Sequence, residues 1–238
     1  MKLNDLTAGE ATYDQKAKDI ILQYARDPMN ASLFNHASMA FNNHFFFKGL
    51  STAPMPISHT NVSDLKRSLE RTFGSMETLR TTMLDTAAAM FGPGFVWLVW
   101  TQGDLTSGTQ GSMAPNWRIL STYNAGTPFP EAGYRQQGLD MNTSNAPGFA
   151  NYMNSEPVRP VGAFGRYSES GQKEQRIPVG SIGLDPMLCV NTWEHVWLYD
   201  FGVKGKRKFL ADWWDAVDWS VVRNNMPPQA WTGEFHSR

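Results

Sequence analysis

The chain has a single cysteine, Cys189, in 238 residues. That excludes an internal disulfide and a zinc site built from several cysteines. It leaves a reducing compartment as the default, with the thiol as a small buried apolar residue. Net charge is nearly absent too: 21 Lys and Arg against 22 Asp and Glu leave a formal -1, so overall charge names no partner. A local basic patch can still meet phosphate, because such contact depends on where the cations sit. No stretch reaches the roughly 18 uncharged apolar residues of a membrane helix, so no membrane span is expected. Met1 to Glu10 lacks a basic region followed by an apolar one, which leaves targeting open. The sequence also has no internal repeat, Ser/His/Asp triad, phosphate loop or Cys/His zinc spacing, and Gly92-Pro93-Gly94 is better explained as a helix stop than as a phosphate cradle.

A hydrophobic fraction of 41%, with 13% aromatic residues, implies a packed core. Ala17, Ile20, Ile21 and Tyr24 recur with helical spacing and predict a helix over Tyr13–Tyr24, ending near Asp27-Pro28. Ser32–Leu50 reads as a second, aromatic-rich helix, and a proline-bearing linker leads to a polar helix from Ser63 to about Phe73. Ser75 can cap a further helix, Met76–Met90, stopped at Gly92-Pro93-Gly94. Phe95–Trp100 and Trp117–Tyr123 are rich in aromatic and β-branched residues and predict paired antiparallel strands. A third apolar segment, Met187–Val190, leads into Trp193–Leu198, and Phe209–Val222 has helical spacing. This order predicts an α+β fold: an N-terminal helical hairpin, then a C-terminal domain with a small antiparallel sheet of about three strands flanked by helices. The expected division is a helical region over 1–75 and an α+β domain over 76–238. A long insertion at about 129–184, mildly basic through Arg135, Arg159, Arg166, Lys173 and Arg176, reads as a docked extension.

Four stretches, in order, carry a resemblance: Phe34-Asn35-His36-Ala37 through Asn42 to Phe45, Phe91-Gly92-Pro93-Gly94-Phe95-Val96-Trp97-Leu98-Val99, Ser121-Thr122-Tyr123-Asn124-Ala125-Gly126-Thr127-Pro128, and Trp193-Glu194-His195. Each is weak alone, but together they resemble the iron/manganese superoxide dismutase family across nearly the whole chain outside the insertion. That resemblance implies a metal held by three histidines and one aspartate. Aligned on their neighbours, the second histidine position is Asn43 and the aspartate position is Asn191; only His195 matches a ligand. Asn191 is neutral and a weak ligand, so the shell's one anion is missing. His44, adjacent to Asn43, is rotated by about 100° on a helix and points elsewhere. The outer-sphere glutamine position is Met39. Leu3-Asn4-Asp5-Leu6 resembles the turn after the family's first helix, which puts the first histidine upstream.

No cofactor or catalytic residue is therefore expected, and the chain reads as a non-enzyme on an enzyme's scaffold. His36 and His44, eight residues apart, could in principle join His195 in a relocated metal site; the alternative is that they are structural, packed among Phe41, Phe45 and Phe46. In the family the glutamate of Trp-Glu-His hydrogen-bonds the partner subunit's ligand histidine, so the resemblance implies a dimer contact through Glu194 and His195. The alternative is a solvated glutamate beside a core histidine. Lys204, Lys206, Arg207 and Lys208, just after the third strand, form the strongest basic patch and are candidate RNA contacts; a solvated face is the alternative.

A dismutase fold without its metal shell, with an insertion and a basic loop, resembles the dismutase-like proteins of the fungal mitochondrial small ribosomal subunit. That implies a mitochondrial, structural protein pairing with a related dismutase-like subunit and touching other ribosomal proteins and rRNA. An active iron/manganese dismutase, or a metal-free interaction protein outside the ribosome, are the alternatives.

Overall fold

A computed structural model of the chain describes residues 2–9, 12–25, 27–101, 116–132 and 183–227. Nearly all of the expected insertion, with its five named cations, and His236 lie outside them. Eight helices and three strands are described: α1 (Lys2–Thr7), α2 (Ala17–Tyr24), α3 (Ala31–Lys48), α4 (Ser63–Phe73), α5 (Met76–Ala89), β1 (Gly94–Thr101), β2 (Asn116–Tyr123), β3 (Leu184–Asn191), α6 (Glu194–Phe201), α7 (Lys206–Asp215) and α8 (Trp219–Asn224). This is the α+β order that the sequence predicts.

Local chemistry sets the ends of these elements. Asp27 accepts from the Met29 N–H at 3.0 Å and starts the turn at Pro28 that separates α2 from α3. Ser75 accepts from the Thr78 N–H at 3.0 Å and caps α5 as expected. Three boundaries differ from expectation. Leu3–Leu6 is not a turn but lies within α1, whose Leu3 and Leu6 pack against the buried cluster of Ile20, Ile21, Leu33, Ala37 and Phe129. α2 begins at Ala17 because Thr12–Gln15 form a turn. Phe209–Val222 is two helices: the Ala216 carbonyl accepts from the Ser51 N–H, the Asp218 N–H donates to the Gly49 carbonyl, and the Asp218 side chain caps α8. The chain after α3 thus supplies the partners that a continuous helix would have used.

The sheet has the order β2-β1-β3, all antiparallel. Central β1 is buried along its whole length, which explains its unbroken apolar run. Pro186 is tolerated because β3 is an edge strand and the register shifts beside it, between Leu98 and Val99. Gly94 starts β1 where a Cβ would collide with the Thr122 carbonyl. The main core joins the sheet to α3, α4, α5, α7 and α8 through Phe46, Leu69, Met83, Trp97, Leu210 and Val222, among others. A smaller cluster holds Ile20, Ile21, Leu33, Ala37 and Phe129. Rings of Phe129, Phe41, Phe45 and Trp97 follow one another at centroid spacings of 5.1, 5.9 and 5.7 Å and link the two clusters. No described helix is long and apolar enough to cross a membrane.

Candidate functional site

Packing of α3 against β3 brings Asn43 and Asn191 together. The Asn191 amide donates to the Asn43 carbonyl oxygen at 2.9 Å. Asn43 in turn donates to the Met39 backbone carbonyl at 3.0 Å, and the Asn191 oxygen accepts from the Trp193 backbone N–H at 2.9 Å. The direction of this relay is fixed at both ends, since a backbone carbonyl only accepts and a backbone N–H only donates. Asn191 is fully buried and Asn43 half-buried, so the bonds satisfy groups that water does not reach freely. Two residues 148 apart, each read from the sequence as a lost ligand, are therefore direct partners.

This donor set does not fit iron or manganese. Asn191 turns an N–H toward Asn43 where the family needs an anionic oxygen, and the Asn43 oxygen is already occupied by that donor. Met39 contributes only its backbone carbonyl to the relay. The relocated site is not formed either: His44 is exposed, the His36 ring contacts the Ser32 carbonyl at 2.7 Å, and no three His, Cys, Asp or Glu side chains converge among the described residues. Cys189 is buried, as expected, which pushes its thiol well above the ordinary range, and its Sγ lies 3.9 Å from the Asn42 carbonyl. Asn42, named in the sequence only as part of the first stretch carrying the resemblance, is wholly buried and donates to the Gly126 carbonyl at 2.8 Å.

Glu194 and His195 open α6 and are both exposed; the His195 ring lies 5.6 Å from that of Trp193. One turn on, Leu198 and Tyr199 are also exposed, Tyr199 almost completely at 96%, while Trp197 is buried. The outward stripe of α6 is thus Glu194, His195, Leu198 and Tyr199, an i, i+1, i+4, i+5 pattern that helical spacing alone reveals once the inner face is known. The basic run starts in the turn after α6 with Lys204 and continues through Lys206, Arg207 and Lys208 in the first turn of α7, and does not directly follow a strand. Lys206 is turned inward, its Nζ 3.2 Å from the Met90 carbonyl and 3.4 Å from that of Ala88 at the end of α5. Burial lowers its pKa, opposed by the charge of Glu194. Arg207 pairs with Asp85 at 2.9 Å, Lys208 lies 5.7 Å from the Phe201 ring centre, and Lys204 is exposed.

The family model for iron/manganese superoxide dismutases, C-terminal domain, matches residues 61–130 and 166–225. Small ribosomal subunit protein mS42 of Schizosaccharomyces pombe is 29% identical over 209 residues, covering 87% of this chain and 71% of that protein. Small ribosomal subunit protein mS43 of the same organism is 26% identical over 230 residues, covering 94% and 72%. The iron superoxide dismutase of Leptolyngbya boryana is 28% identical over 225 residues, covering 94% and 79%. The order of helices and strands and the family match agree, and the chain belongs to the iron/manganese superoxide dismutase family.

Proposed function

We propose that this protein is a structural constituent of the mitochondrial small ribosomal subunit: a metal-free dismutase-like chain that pairs with a related subunit and contacts neighbouring proteins and rRNA. Overall identity does not separate that reading from an enzyme, since the ribosomal relatives stand at 29% and 26% and a dismutase at 28%. The carrying observation is the Asn43–Asn191 bond, which turns two ligand positions into a hydrogen-bonded brace. Two small-subunit proteins of one organism each match this chain over 87% and 94% of its length, so a related chain is available as partner. Glu194 and His195 are the proposed pairing contacts, extended by Leu198 and Tyr199 on the same stripe. Lys204, Arg207 and Lys208 are the proposed rRNA contacts, since Lys206 is held against the end of α5.

Tagged protein in mitochondrial extract is expected to co-sediment with the small ribosomal subunit, and purified protein to lack stoichiometric iron or manganese and superoxide-removing activity. A chain that sediments free of the subunit, or that binds one metal per chain and dismutates, overturns the reading.

A further inference from the structure

The turn between β3 and α6 is tied down on two sides. On the sheet side, the Thr192 N–H and hydroxyl both donate to the Gly94 carbonyl, at 2.9 and 3.0 Å, and the Trp197 indole N–H donates to the Thr192 carbonyl at 3.3 Å. On the α3 side the attachment is the relay, in which Trp193 N–H, Asn191, Asn43 and the Met39 carbonyl follow in series. Trp193 is the N-cap of α6 and supplies no side-chain cap, so the direction in which the helix leaves the sheet depends on how its backbone is held. Glu194 and His195 follow Trp193 directly, and Leu198 and Tyr199 lie one turn further along the same stripe. A rotation of the first turn therefore moves every residue of the proposed pairing face together.

The geometry points to Asn43 and Asn191 as positioning residues for subunit pairing: their bond locks α6 to α3 and sets the angle at which the Glu194, His195, Leu198, Tyr199 stripe meets a second dismutase-like chain. This rests on the pairing reading above. An amide pair with one wholly buried member suits that task because the alternative for Asn191 is an unpaired buried polar atom, which makes the arrangement specific to one orientation.

The test is a double-mutant cycle on the full chain, with Asn43→Ala, Asn191→Ala and the double variant, each co-expressed with the related dismutase-like subunit. Pairing affinity is measured well below the melting temperature of every variant, and hydrogen exchange is followed at the amides of 194–197. Each single variant is expected to pair about tenfold more weakly, with the double variant little worse than either, and with faster exchange at α6. Asn225→Ala is the control: it removes an amide bond of 3.1 Å to the Met187 carbonyl nearer the other end of β3, and is expected to lower stability without changing pairing. Relay variants that stay folded and pair as tightly as the unaltered chain overturn the inference while leaving the pairing reading standing. Failure of the unaltered chain to pair overturns both.

Discussion

Asn43 and Asn191 use their amides on each other and on two backbone groups, and this makes them intolerant of the residues a dismutase would carry there. Asn191→Asp places an ionised carboxylate, wholly buried, against the Asn43 oxygen. Flipping Asn43 to donate only moves the conflict to the Met39 carbonyl. The variant is expected to lose about 3 kcal/mol of stability at neutral pH, read from urea unfolding, and to bind no stoichiometric manganese by elemental analysis. Asn191→Ala leaves the Trp193 N–H and the Asn43 oxygen without partners and is expected to cost about 1–3 kcal/mol. Both substituted positions were legible in the sequence through their neighbours, but the bond between them was not. Residues 148 apart carry no local signal of contact.

Among elements, the pairing of α4 with α8 carries a pH dependence. Asp64 in the first turn of α4 meets Arg223 in the last turn of α8 at 2.8 Å, with the Arg223 Nε 3.0 Å from both carboxylate oxygens. Each charge also complements its own helix end. The bond to Arg223, supported by the Leu65 N–H, holds Asp64 below its ordinary 3.8 against opposing desolvation. A lowered pKa means the contribution is fully present above the unfolded value and lost as pH falls through the folded one. The stability gap between the unaltered protein and Asp64→Asn is therefore expected to be constant from pH 7 to pH 5 and to shrink below about pH 4 in urea titrations. On the sheet, Trp97 is fully buried in central β1 and its indole donates to Thr122 at 3.0 Å. Trp97→Ala is expected to cost about 3–5 kcal/mol, measured by thermal or denaturant unfolding. Periodicity located these elements well wherever burial was one-sided. It ran α7 and α8 together because the break at Ala216–Asp218 is made by hydrogen bonds to the Gly49 carbonyl and from the Ser51 N–H, far away in the chain.

At the scale of the whole molecule, the scaffold separates residues that hold the fold from residues left to meet neighbours. Lys206 belongs to the first group and Lys204 and Lys208 to the second, although they sit within five residues. Lys206→Met is expected to lower stability by about 1 kcal/mol, measured by denaturant unfolding, and to leave retention on rRNA unchanged. The pair Lys204→Ala and Lys208→Ala is expected to leave stability unchanged and to weaken rRNA retention, with the difference from the unaltered chain largest at low salt and narrowing as salt rises. Equal retention by the pair would remove rRNA from the contacts of Lys204 and Lys208.

By itself the sequence determined the family and the α+β order, because short motifs such as Phe91–Val99 and Trp193-Glu194-His195 keep their spacing, and it located Asn43 and Asn191, through their neighbours, as the positions where the resemblance expects ligands. Only the tertiary structure decided what replaced the ligands, which of four neighbouring cations stays in solvent, and which side of α6 faces outward. Those outcomes depend on packing between segments distant in the chain, and neither composition nor period encodes which buried groups meet there.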